Sequence, residues 1–132
     1  MIKKFDHVGL AVTNADEVTA LLSRLFGFEI AESREEAAAG FKSTLLSSAD
    51  VKLELIQPLG AEGMIQKFIE KRGGGLHHIS LQVDNLEAEI KRLKSLGVQF
   101  ASEDAAEVNG CRVIFIHPRS TNGLLVELMQ RG

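Results

Sequence analysis

The sequence predicts an α+β fold, in which two tandem β-α-β-β-β modules make a curved eight-stranded sheet. Three observations predict it. The stretch His7-Val8-Gly9-Leu10-Ala11-Val12-Thr13-Asn14 returns 71 residues later as His78-Ile79-Ser80-Leu81-Gln82-Val83-Asp84-Asn85, and self-similarity at a fixed offset marks a repeated structural unit. Each copy runs into a segment with apolar residues three and four apart, the spacing of a helix with one buried face. Each helical segment is then followed by three short runs rich in aliphatic and β-branched residues, which suit strands.

In order along the chain, His7 to Val12 alternates as a half-buried strand does. Asn14 is placed to cap a helix whose Val18, Leu21, Leu22 and Leu25 share a face, and Gly27 is where that helix should stop. Phe28-Glu29-Ile30 starts a second strand, Phe41 to Leu46 reads as a third and Val51 to Ile56 as a fourth. In the second copy Asn85 takes the cap position. Leu86, Ile90, Leu93 and Leu96 make the helix face, and Gly97 the stop. Val98 to Ala101, Arg112 to His117 and Leu124 to Leu128 take the places of the three strands. Between the copies, an amphipathic helix is expected with Met64, Ile65, Phe68 and Ile69 on one face, ended by Gly73-Gly74-Gly75. The chain is thus expected to be a single domain: module one over 1–57, a connector over 58–75 and module two over 76–132. One module alone cannot bury both faces of its sheet. Two together can, with a concave inner face above and helices beneath.

The bulk properties agree with one domain and exclude several roles. At 132 residues, with 45% hydrophobic and 25% charged, the chain can bury a genuine core. Net charge is −3, the basic residues are scattered, and there is no Trp or Tyr, so nucleic-acid binding is disfavoured. No apolar run is long enough to span a bilayer, and MIKKFDHVGL lacks an apolar signal core, so a cytoplasmic location is expected. Cys111 is the lone cysteine, so no intrachain disulfide can form, and its apolar neighbourhood suits an incidental thiol.

The repeat also carries chemistry. The last strand of each module holds a carboxylate between aliphatic residues, Leu53-Glu54-Leu55 and Val126-Glu127-Leu128. A Glu so placed points to the opposite face from its neighbours. Either Glu alone would read as a solvated side chain, and either His alone as hydrogen-bonded structure. Their recurrence changes that. His7 precedes Glu54 by 47 residues and His78 precedes Glu127 by 49, each pair on equivalent strands. Two imidazoles and two carboxylates suit one divalent ion, Co²⁺, Zn²⁺, Ni²⁺ or Mn²⁺. Four protein ligands would leave an open position of the kind a catalytic metal keeps. His77 should face the other way, and His117 could line the mouth of the cleft.

The segments that carry this pattern resemble the vicinal-oxygen-chelate superfamily of glyoxalase I, extradiol dioxygenases and antibiotic-resistance proteins. Within it they are most similar to the methylmalonyl-CoA epimerases. The resemblance runs over nearly the whole chain, through Asp6 to Val12, Leu53 to Pro58, Lys67 to Gly73 and Leu76 to Ile79, then Arg112 to Ser120 and Gly123 to Leu128. The run His117-Pro118-Arg119-Ser120 discriminates most. The resemblance implies a metal-dependent isomerase that moves the proton on C2 of an acyl-CoA substrate, and commonly a homodimer. It agrees with His7, Glu54, His78 and Glu127 as ligands; because this chain has Ser43 and Glu54 where some epimerases differ, Glu54 and Glu127 are read as doubling as the acid–base pair, an arrangement glyoxalase I also suggests. In some epimerases a Glu stands where this chain has Ser43, paired with a Gln at the position of Glu54. CoA phosphates should meet Arg119, Ser120 and Lys71, with Lys67 and Arg112 as further candidates. Two other readings share the site: a glyoxalase I-like lyase, and a non-catalytic small-molecule binding protein.

Overall fold

The computed structural model describes residues 1–132. Eight strands and three helices make up an α+β fold, as expected. They run β1 Ile2–Ala11, α1 Ala15–Phe26, β2 Glu29–Glu36, β3 Phe41–Ser48, β4 Val51–Pro58 and α2 Met64–Arg72. Then follow β5 Gly75–Val83, α3 Leu86–Ser95, β6 Ala106–Val108, β7 Cys111–Ile116 and β8 Val126–Arg131. The chain forms two compact units, residues 7–77 and residues 1–6 with 78–132.

Within the first unit the strand order is β2-β3-β4-β1, antiparallel except for the parallel pair β1–β4. Its core is Ala15, Phe28, Leu46 and Leu55, with Val18 and Leu22 of α1 packed on it. Asn14 caps α1 as expected: its side chain accepts from the Glu17 amide at 3.1 Å. Gly27 ends the helix in the left-handed conformation, which glycine adopts without steric cost. Leu21 and Leu25, expected on the buried face, are instead 44% and 51% exposed. Only the Val18–Leu22 edge of that stripe meets the sheet. On α2, Ile65, Phe68 and Ile69 pack against Ala11 and Ile56. Met64 is 80% exposed, because it is the first residue of the helix and lies short of the apolar contact. After α2 the chain passes so close to β1 that a Cβ on Gly74 would lie 2.9 Å from the Ala11 carbonyl oxygen.

The second unit repeats the topology, β5-β8-β7-β6, with β5–β8 parallel and the other pairs antiparallel. Its core gathers Val83, Leu86, Ile90, Ile114, Ile116, Val126 and Leu128. Asn85 caps α3 by accepting from the Ala88 amide at 3.0 Å. Leu96 is exposed, having fallen just past the end of the helix.

One expected strand is corrected. Val98 to Ala101 is not a strand but touches β7 through a single bridge, Phe100 to Ile116. The edge strand forms later, as β6. The reason lies in Asn109-Gly110, both at positive φ (52° and 79°), which close a tight hairpin that pairs Val108 with Cys111. Asn-Gly is the strongest short-range hairpin signal. It fixes β6 directly before β7 and leaves the polar stretch Ser102-Glu103-Asp104 as a bend. The last strand also starts later than expected, at Val126.

Candidate metal centre and acid–base site

The two parallel pairs share one register. Gly9 faces Glu54 across β1–β4, and Ser80 faces Glu127 across β5–β8. Side chains two apart on a strand share a face. His7, two before Gly9, therefore lies on the face of Glu54, and His78, two before Ser80, on the face of Glu127. The repeat read from the residues is thus repeated in the hydrogen-bonded geometry.

In the first unit His7 is buried, and its Nε2 lies 3.4 Å from Glu54 Oε1. The other carboxylate oxygen, Oε2, accepts a hydrogen bond from the Ser43 hydroxyl at 2.8 Å. Arg34 Nη2 stands 3.8 Å from that same oxygen. Arg34 is itself held on β2, its Nε donating to Glu36 at 2.7 Å and its Nη1 lying 3.6 Å from Glu32. In the second unit His78 and Glu127 are both buried. The His78 ring packs edge-on against Phe115 at 5.4 Å between centroids. Phe115 is also the register neighbour of Glu127 on β7.

Burial of a carboxylate or an imidazole is costly unless it is hydrogen-bonded, ion-paired or coordinates a metal. The donors meet that requirement in kind: His7, Glu54 and His78 are residues able to hold a metal ion, and the nitrogen–oxygen set suits a divalent transition ion.

The structure brings His7 and Glu54 into contact and sets His78 and Glu127 on adjacent strands. The remaining candidates fall elsewhere. His77 turns to the other face and packs edge-on against Phe68, 4.9 Å between centroids. His117 caps the short turn Pro118–Thr121, its Nδ1 accepting from the Arg119 amide at 3.1 Å. Ser120 accepts from the Gln99 amide at 2.8 Å, and Arg119 Nη1 reaches the Gln99 side chain at 3.3 Å. Both therefore steady the 98–101 segment. Lys71 and Lys67 are exposed on α2, and Arg112 is ion-paired with Glu87.

Two features escaped the sequence reading. Arg34 sits in Glu32-Ser33-Arg34-Glu35-Glu36, which reads as a solvated run. Only the register that sets Arg34 opposite Ser43 carries it to Glu54. Asp6 is the other: it is buried and accepts from Gln82 Nε2 at 2.6 Å and Arg131 Nη2 at 2.9 Å. A carboxylate directly before His7 was its only signal. No helix is long and apolar enough to cross a membrane.

Residues 6–115 match the family model of the Glyoxalase/Bleomycin resistance protein/Dioxygenase superfamily. The chain is 34% identical over 133 residues to the ethylmalonyl-CoA/methylmalonyl-CoA epimerase of Cereibacter sphaeroides, a match that covers 98% of this chain and 99% of that one. It is 33% identical over 129 residues to the mitochondrial methylmalonyl-CoA epimerase of Homo sapiens, covering 96% of this chain and 73% of that one. The crystal structure of methylmalonyl-CoA epimerase from Mycobacterium tuberculosis superimposes with a TM-score of 0.93 at 30% identity, over 99% of this chain and 89% of that chain.

Proposed function

We propose, on the premise that this chain belongs to the Glyoxalase/Bleomycin resistance protein/Dioxygenase superfamily, that it is a metal-dependent epimerase interconverting (2R)- and (2S)-methylmalonyl-CoA. The observation that carries this is the doubled His–Glu pair: His7 with Glu54 and His78 with Glu127, in one register on equivalent strands. Relatives with that activity align over nearly the whole chain.

His7, Glu54, His78 and Glu127 would hold one divalent ion, of the Co²⁺, Zn²⁺, Ni²⁺ or Mn²⁺ class. Once bound, it supplies Lewis acidity that lowers the cost of removing the proton on C2. C2 is α to a thioester carbonyl, which can take up the charge as an enolate, so its proton is already acidified. Epimerisation needs one group to take that proton from one face and another to return a proton to the opposite face. Glu127 and Glu54 fill these roles. One carboxylate oxygen gains the C2 proton while the other, entering the cycle protonated, gives its own; the reverse reaction exchanges them. Leu45 and Phe115, the register neighbours of Glu54 and Glu127, supply apolar cover at each carboxylate. Arg119, Ser120 and Lys71 would meet the CoA phosphates. The resemblance further supports a cytoplasmic homodimer, whose stoichiometry sedimentation would read.

Incubating the metal-loaded protein with methylmalonyl-CoA in deuterated buffer tests the proposal. Deuterium should enter at C2, and a single isomer should become a mixture of both. Absence of exchange at C2 sinks the epimerase reading.

A further inference from the structure

The two carboxylates have different residues at equivalent positions behind them, and the difference lies in residues so far given no role. On the face that carries Glu54, Arg34 of β2 stands directly opposite Ser43 of β3. Both reach Oε2, the hydroxyl at 2.8 Å and the guanidinium at 3.8 Å. Oε1 is left turned toward His7, 3.4 Å from its Nε2. Arg34 cannot drift readily, because Glu36 and Glu32 hold its other nitrogens. In the second unit, the places of Ser43 and Arg34 are taken by Val113 and Ala106, again a register pair. One carboxylate has a hydroxyl and a fixed positive charge behind it. The corresponding positions behind the other are apolar.

We infer that Arg34 and Ser43 are positioning residues for Glu54: they commit Oε2 and leave Oε1 as the oxygen that serves the site. The inference rests on the epimerase reading and adds an asymmetry to it. Because Glu54 is taken to act on one face of C2 only, losing its support should impair proton exchange for one isomer more than the other. A group that merely stabilised the fold would slow both alike.

The test uses Arg34→Ala, Arg34→Lys and Ser43→Ala, each checked for an intact thermal transition. Exchange of the C2 hydrogen with deuterated solvent is followed separately from pure (2R) and pure (2S) substrate. In Arg34→Ala and Ser43→Ala, exchange from one isomer should fall about tenfold or more, while exchange from the other stays within about twofold. Arg34→Lys should restore part of the loss. Equal loss from both isomers, or no loss, overturns the inference. Calorimetric titration with Co²⁺ reads the same support without turnover. Arg34→Ala should bind the ion about tenfold more weakly, with partial recovery in Arg34→Lys, since removing a group that orients a ligand typically costs that much. Unchanged affinity in both Arg34→Ala and Ser43→Ala overturns the inference whatever the exchange experiment gives. Wild-type protein that binds Co²⁺ yet exchanges neither isomer removes the epimerase reading alone, and the titration then decides the positioning role.

Discussion

Glu89 on α3 is buried, yet carries a charge that must be matched. Arg92, one turn on, donates through both Nε and Nη2, and the N-terminal ammonium of Met1 approaches to 2.7 Å. The Arg92 contact first, and the ammonium second, hold the Glu89 carboxyl below its ordinary value of 4.5. A carboxyl lowered on folding contributes stability above its unfolded value and loses it as pH falls through the folded one. Melting temperature should therefore drop as pH falls below about 4.5. Glu89→Gln should lose about 1 kcal/mol at pH 7 and show a shallower acid dependence, the size being discounted for the half-open Arg92 side. Equal acid slopes in the two proteins would contradict this. At the same scale, the site residues divide by how far their environment is local. The candidate ligands His7, Glu54, His78 and Glu127 stand out in the sequence because alternation within a strand and repetition between modules both mark them. Ser43 was tied to Glu54 only through the family resemblance and Arg34 not at all, since their approach to Glu54 depends on how β2, β3 and β4 register, and nothing local encodes that.

The helices show what a short segment can and cannot specify by itself. Asn14 and Asn85 cap α1 and α3 in the same way, each accepting an amide from three residues on. Replacing either by Ala should cost about 1 kcal/mol by chemical denaturation, and the pair should add, because the caps lie in different units and share no partner. A double variant losing clearly less than the sum would show the caps to be coupled. The caps and glycine stops were readable because they act within one turn. Which part of an apolar stripe gets covered was not: Leu21, Leu25, Met64 and Leu96 all fit helical spacing yet stay exposed. The sheet that would cover them is decided by distant residues. The misplaced strand at 98–101 has a different origin. The repeat places a strand there by likeness to the first copy, whereas Asn109-Gly110 carries a stronger and purely local signal.

For the molecule as a whole, a bound ion is also a folding ligand. Whatever binds the native state alone adds RT ln(1 + [L]/Kd), about 2.7 kcal/mol when the ion is at a hundred times its Kd. Protein stripped by a chelator should melt several degrees lower than protein loaded with Co²⁺, and the gap should close in His7→Ala and in Glu127→Gln. If stripped and loaded protein melt together, the four residues do not form one site. The fold class and the succession of elements in each module, apart from the place of β6, were visible in the sequence because the same pattern appears twice.

The chain leaves one compact unit for the other between Asp6 and His7, and returns between His77 and His78. His7 and His78, the two candidate ligand histidines, are thus each the first residue after a transfer. The segment 7–77 is continuous, whereas its counterpart is assembled from both ends of the chain. Circular permutation exposes what that means: a chain order opening at His78 and passing from Gly132 into Met1 would make the interrupted unit an unbroken stretch. The 71-residue period of the sequence and the division of the chain into units therefore fall at the same two histidines.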